Sequence, residues 1–162
     1  MIDFALTADA VAPQLLGCTL THAGVSIRLT EVEAYLGAED SAAHTFNGKT
    51  PRNAAMFGPP GRFYVYISYG IHRNVNIVCA PDGTGQGCLL RGGEIIEGAD
   101  IAFARRGTTD FHNLARGPGN LGKALGFTLE DNHQPIQIIE RTSEPEWVRG
   151  PRIGISKNKE AA

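Results

Sequence analysis

Glu31, Glu33 and Tyr35 stand two residues apart at the end of one apolar stretch, Val25-Ser26-Ile27-Arg28-Leu29-Thr30-Glu31-Val32-Glu33-Ala34-Tyr35-Leu36. Strand side chains alternate between faces. Unbroken alternation therefore continues the face of Val25, Ile27 and Leu29 through the two carboxylates and the phenol. Carboxylates on a core-facing side are costly unless partnered, and such groups titrate abnormally. One reading is a general base or acid at the floor of a cleft. The other is a β-bulge that turns Glu31 and Glu33 to solvent, or a structural pairing of both with arginines.

A second candidate is Phe63-Tyr64-Val65-Tyr66-Ile67-Ser68-Tyr69-Gly70, which holds three of the four tyrosines. Alternation places Phe63, Val65 and Ile67 on one face and Tyr64, Tyr66 and Ser68 on the other. The second face suits either an ordinary amphipathic surface or an aromatic wall on which a planar ligand stacks. Tyr69, just before Gly70, falls where the strand turns and a ring protrudes. Asn74 and Asn76 share a face, as do Leu89 and Arg91; buried amides and guanidinium groups must find partners. They line a polar pocket or brace loops. His44 lies in a long polar loop, where a lone histidine is more often structural than functional.

Gly117-Pro118-Gly119-Asn120-Leu121-Gly122 matches G-x-G-x-x-G. No buried strand precedes it, Pro118 interrupts it and no βα alternation follows, so a dinucleotide fold is rejected. What survives is a glycine-rich turn opening a helix, with backbone N–H groups and Lys123 nearby, which suits a phosphate. No CxxC, HExxH, P-loop or G-x-S-x-G motif occurs. Cys18, Cys79 and Cys88 are odd in number, widely spaced and set among apolar residues; they read as buried thiols of a reducing compartment.

The elements that must position these residues fit one domain. A chain of 162 residues with 42% hydrophobic and 20% charged content is globular. Twenty Gly and nine Pro argue for short elements and against a helical bundle. Apolar runs are far too short to span a membrane, and Met1-Ile2-Asp3-Phe4 carries acid where a signal peptide needs base. Net charge is −2, which alone does not suggest nucleic acid, yet only four of the fifteen basic residues are lysine (Lys49, Lys123, Lys157 and Lys159). Arginine is the better bidentate donor to phosphate or carboxylate. Helices are expected over 7–16, 94–106 and 121–127, with brief helical turns at 41–44 and 52–57. Strands are expected over 18–22, 25–36, 62–68, 74–79, 88–92, 136–140 and 152–155. The fold class is mixed α/β (α+β), with a mainly antiparallel sheet.

Several of these segments, taken in order, resemble one family. They are Glu31-Val32-Glu33-Ala34-Tyr35-Leu36-Gly37 with Asp40-Ser41-Ala42-Ala43-His44, then Thr50-Pro51-Arg52-Asn53 with Met56-Phe57, then Tyr64-Val65-Tyr66-Ile67-Ser68-Tyr69-Gly70 with Asn76. Leu89-Leu90-Arg91, Gly117-Pro118-Gly119-Asn120-Leu121 and Pro151-Arg152-Ile153-Gly154-Ile155 complete the set. Their order and spacing resemble the alkyladenine (3-methyladenine) DNA glycosylases in their compact bacterial form, over roughly residues 15–155.

The resemblance implies a curved antiparallel sheet with surrounding short helices, no metal and no cofactor. It implies a cytoplasmic, monomeric base-excision enzyme acting on double-stranded DNA that contains damaged purines. Glu33 matches the general base that activates water; Arg91 and the backbone carbonyl of Ile153 match the groups that help hold that water. Tyr35, His44 and Tyr66 match the walls around the flipped base, with Leu89 also at the pocket. Asn76 matches the residue that crowds the 2-amino group of guanine. Tyr69 matches the wedge that fills the gap left by the flipped nucleotide. Ile71, Thr50, Arg52, Gly119 and Lys123 fall on the surface that meets DNA. Relatives continue past the Pro-Arg-x-Gly strand into another strand, so one family strand is expected to be missing after residue 155. Two other classes stay open: a damage-sensing protein that binds without releasing the base, and a small-molecule hydrolase using Glu33 and His44. A basic face around Arg52, Arg62 and Lys123 would argue against the second.

Overall fold

The structure is a computed structural model and describes residues 1–150. The strand expected over 152–155, and with it Ile153, lies outside the described residues. Helix α1 (Ala8–Leu15) buries Ala8, Val11 and Leu15, which recur at helical spacing on one face. Strands β1 (Thr19–His22) and β2 (Val25–Tyr35) form a hairpin through Ala23 and Gly24, both at positive φ. Then come β3 (Phe63–Ser68), β4 (His72–Cys79), β5 (Gln86–Glu97), α2 (Ala99–Arg106), α3 (Pro118–Ala124) and the two-residue β6 (Ile138–Ile139). Among the described residues the six strands make one sheet in the order β3-β4-β5-β2-β1-β6. Every neighbouring pair is antiparallel. The α+β class expected from the sequence is what forms.

The two faces differ. One carries the main core: Val25, Ile27 and Leu29 of β2 and Val75 and Ile77 of β4 cluster with Val11 and Leu15 of α1 and Leu121 of α3. The other carries a small cluster of Ala55, Met56, Tyr64 and Val78, with Tyr35 and Tyr66 against it. The three cysteines are buried free thiols, as their apolar surroundings suggest.

The helix expected over 94–106 is corrected at its first half. β5 runs on to Glu97 because Ile95 pairs with Ile27 and Glu97 with Ser26. Gly98 at φ +76° then turns the chain into α2. Cross-strand pairing here outweighs the local helical spacing. The brief helical turn expected at 41–44 forms instead at Gly37–Glu39, while that at 52–57 appears as Ala54–Phe57. α3 starts at Pro118, whose missing N–H costs nothing in a first helical turn.

Gly122 is what lets α3 lie on β4. A Cβ there would collide with the carbonyl oxygen of Arg73. Backbone cannot give way as a side-chain tip does, so Gly122→Ala is expected to lose about 1–3 kcal/mol of stability. Urea unfolding reads this as a lower midpoint at unchanged slope. An unchanged midpoint would show that the α3–β4 contact tolerates a methyl.

Candidate active site

The alternation of β2 is broken in the middle, and this decides where Glu33 goes. Leu29 pairs with Gly93 but Glu31 pairs with Gly92, so Thr30 is an extra residue on β2. Val32 then pairs with Leu90, so Arg91 is an extra residue on β5. Such bulges redirect side chains and bend the strand. Upstream, Val25, Ile27 and Leu29 face the core; downstream, Val32 and Ala34 pack against it instead. Glu33 and Tyr35 are thereby moved to the other face. Unbroken alternation would have driven them into the core. The bulge does not leave Glu33 in solvent either: it is 8% exposed, whereas Glu31 is about half exposed.

The pairing then lays the candidate side chains in rows across the sheet. Tyr64 pairs with Asn76, Asn76 with Leu89, and Leu89 with Glu33. Strand spacing of about 4.8 Å makes these a contiguous band over β3, β4, β5 and β2. In the next row Tyr66 pairs with Asn74. The Asn76 Nδ2 donates to the Tyr64 carbonyl at 3.3 Å, and the Asn74 Nδ2 donates to the Tyr66 hydroxyl at 3.2 Å. Leu89 is buried within the band, between Glu33 and Asn76.

Tyr35, Ala42, His44, Met56, Tyr64, Tyr66 and Asn76 enclose a pocket of about 40 Å³ on this face. His44 meets Tyr66 edge-on at 4.2 Å between ring centroids, and Tyr64 lies 5.6 Å from Tyr66. The loop that supplies His44 is tied down at several points. Buried Asn53 donates to the carbonyls of His44 and Gly48, Thr45 Oγ1 donates to the Gly85 carbonyl, and Asp40 accepts from the N–H groups of Leu36 and Ala42. Tyr35, one wall of the pocket, donates from its hydroxyl to Glu33 Oε1 at 3.1 Å. Arg91 Nη1 faces the same oxygen at 3.7 Å, and Arg91 Nε donates to Glu31 at 2.8 Å. A buried carboxylate with a hydroxyl donor and a guanidinium beside it is equipped to take a proton from water.

Burial pushes the Tyr64 phenol up to about 12. Burial also raises Tyr66, although the hydrogen bond from Asn74 and the charges of Arg52 and Arg91 oppose it. Both rings thus stay neutral. Burial, seconded by the charge of Arg52, holds His44 below its ordinary 6.5. The pocket wall is therefore uncharged at neutral pH and does not repel a cation. His44 gains its proton only at a pH below its ordinary 6.5. Affinity for a cationic base is accordingly expected to hold as pH falls to 6.5 and to weaken below it. Arg52→Gln should move that onset to higher pH, since one cause of the depression is removed. Titrating the affinity of a lesion duplex against pH checks both; an onset unmoved by Arg52→Gln would remove Arg52 from the pocket's electrostatics.

Beyond the pocket, the β3–β4 hairpin ends in Tyr69-Gly70-Ile71. Tyr69 sits at φ +52°, an uncommon conformation for a bulky residue. Its ring is 93% exposed, and Ile71 is also exposed. The protrusion expected of Tyr69 is present. Beside this tip runs a groove of about 360 Å³ lined by Ile71, His72, Arg73, Arg106, Gly119, Asn120 and Lys123. It holds three permanent cations and no acid. Gly119 lets α3 approach the hairpin, because a Cβ would meet the His72 ring at 2.7 Å. Arg52 reaches the end of β3, donating to the Ile67 carbonyl at 2.6 Å. Thr50 and Asn53 exchange side-chain and backbone hydrogen bonds within their loop. Arg62, at the other end of β3, donates to the His133 carbonyl. Among the described residues, no group of three or more His, Cys, Asp or Glu could hold a metal ion. No helix among them is long and apolar enough to cross a membrane.

A family model described as methylpurine-DNA glycosylase matches residues 2–162. The chain belongs to this family. It is 67% identical to a protein of Corynebacterium efficiens provisionally named 3-methyladenine DNA glycosylase, over 99% of this chain and 87% of the relative. A Corynebacterium glutamicum protein of the same provisional name is 65% identical, over 99% and 88%. One from Cutibacterium acnes is 51% identical, over 99% and 91%. The family resemblance read from ordered motifs is thus borne out over the whole chain.

Sequence reasoning passed over parts of this family member's site. Met56 and Ala42 line the pocket without any local signal of it, beside Tyr64, which strand alternation already places on the aromatic face. Asn74 is buried, and its Oδ1 has no hydrogen-bond partner among the described residues. The sequence already groups Asn74 with Asn76 on one strand face, as pocket lining or loop brace, without saying which. Arg73 and Arg106 join Lys123 in the groove, which no local motif announces because they come from β4 and α2.

Proposed function

We propose that the chain hydrolyses the N-glycosidic bond of alkylated purines in duplex DNA and leaves an abasic site, with Glu33 as the general base. Family membership makes it a DNA glycosylase; the assignment of roles is supported by one observation above all. Glu33 is buried and bonded to Tyr35 of an aromatic pocket's wall, with the Tyr35 hydroxyl and the Arg91 guanidinium converging on a single carboxylate oxygen. Chemistry on a base requires it out of the duplex. A purine alkylated at N3 or N7 is cationic, and stacking between Tyr35, Tyr66 and the neutral His44 favours it by about 0.5–2 kcal/mol. The base then departs with the electrons of the N-glycosidic bond, and the sugar passes through an oxocarbenium-like transition state, by analogy with glycoside hydrolysis. Glu33 stabilises that positive charge and takes the proton of the attacking water.

Arg91 helps to hold the water. The family resemblance adds the carbonyl of Ile153, outside the described residues. Asn76, pinned by its bond to the Tyr64 carbonyl, stands as the obstacle to the guanine amino group. Tyr69 and Ile71 are the wedge, and the groove of Arg73, Arg106 and Lys123 beside them takes backbone phosphates. Thr50 and Arg52 approach the duplex from the loop side. The lining of the base pocket includes no lysine, which supports simple hydrolysis without strand cleavage through a Schiff base. The partner is double-stranded DNA carrying damaged purines, met in the cytoplasm by one copy of the chain. The basic groove is what a duplex ligand needs and what a small-molecule hydrolase does not. Duplexes holding a single lesion, incubated with the protein and then treated with alkali, test the reading. Strand breaks at the lesion only after alkali support it; lesion binding without base release would favour a damage-sensing protein.

A further inference from the structure

Arg91 has two carboxylates within reach and is bonded to the one that the mechanism does not use. Its Nε donates to Glu31 Oε1 at 2.8 Å, while its Nη1 stands 3.7 Å from Glu33 Oε1, too far for a hydrogen bond. The arrangement is specific to the paired bulges. Thr30 on β2 and Arg91 on β5 are each the extra residue of a bulge, and together they bring Glu31 and Glu33 beside the same guanidinium. The Arg91 side chain is 13% exposed and that of Glu31 is 49% exposed. Glu31 therefore sits at the rim, with its carboxylate directed back at a mostly buried cation.

An arginine fork prefers to close bidentately on a carboxylate. Closed on Glu33, it would occupy the oxygens that must receive a proton from water. Held at Nε by Glu31, it keeps its Nη1 edge toward Glu33 across a gap. We propose that Glu31 is a positioning residue for base excision: it anchors Arg91 so that the guanidinium orients the attacking water beside Glu33 instead of closing a hydrogen-bonded fork on Glu33. The proposal rests on Glu33 as general base and Arg91 as its companion.

The test is single-turnover excision from a duplex with one alkylated purine, together with affinity for that duplex. It compares the wild type with Glu31→Gln, Glu31→Asp, Arg91→Ala, the Glu31→Gln/Arg91→Ala double variant and Glu33→Gln. Glu31→Gln should slow excision about 10- to 100-fold, the scale of a misplaced catalytic group, with affinity unchanged within about twofold. Glu31→Asp, which keeps the charge, should recover part of the rate. In the Arg91→Ala background Glu31→Gln should cost less than about twofold, because its only route of action is gone. A Glu31→Gln rate equal to wild type would overturn the proposal, as would an equal loss with and without Arg91, or a fall in affinity that matches the fall in rate. Glu33→Gln separates the two levels. If Glu33→Gln is inert and Glu31→Gln fully active, only the positioning role fails. If Glu33→Gln excises at the wild-type rate, the general base is elsewhere and both readings fall.

Discussion

Glu33→Gln is expected to slow base excision by at least about a thousandfold while leaving affinity for a lesion duplex nearly intact. Loss of a positioned general base alone costs about 10²–10⁴-fold. The neutral amide also removes the negative charge that faces the oxocarbenium-like sugar, which adds to the loss. Little else should change. A Gln carbonyl oxygen still accepts from the Tyr35 hydroxyl, as Glu33 Oε1 does at 3.1 Å. The residue is buried between β2 neighbours whose pairing does not depend on its charge. Single-turnover excision and fluorescence anisotropy on the same duplex measure the two quantities. A rate within tenfold of the wild type would remove Glu33 from the role. A cationic lesion is already a good leaving group, whereas a neutral one is not. The variant should therefore retain more of its rate on the cationic lesion.

How much of this site could be read without coordinates depends on whether a residue's place is set locally. Tyr64 and Tyr66 were legible because β3 alternates without interruption and turns at Gly70, so facing and protrusion follow from spacing alone. Glu33 was legible as a chemical candidate but not as a placed one. Period two puts it in the core. One extra residue at Thr30 reverses that, and the bulge is defined only against β5 and its own extra residue, Arg91. The same dependence on a distant partner hid the second half of β5. Ile95 and its neighbours recur at helical spacing, but pairing with Ile27 makes the segment a strand. The basic groove was legible only as Ile71, Gly119 and Lys123, because its arginines come from separate elements.

Tyr69→Ala and Tyr66→Ala should both impair excision, but by losses that respond to different properties of the substrate. Tyr69 projects from the hairpin tip at 93% exposure and is not among the residues that line the pocket. As a wedge it offsets the few kcal/mol needed to unstack a nucleotide. Its removal should cost about 10- to 1000-fold when the lesion sits in a stable pair. The cost should shrink when the lesion is mismatched, since less unstacking then remains to be offset. Tyr66 lines the pocket, edge-on to His44 and fixed by the Asn74 amide. It meets the base only after flipping. Its loss should therefore follow the charge and ring size of the lesion, being larger for a cationic purine by the cation–π contribution of about 0.5–2 kcal/mol. It should be nearly the same in matched and mismatched duplexes. Single-turnover excision of one cationic and one neutral lesion, each in both pairing contexts, reads the two dependences in a single set of rates. If the Tyr66→Ala penalty also shrinks on mismatching, Tyr66 contributes to flipping itself. The division between a wedge at the hairpin tip and a stacking wall in the pocket would then fail.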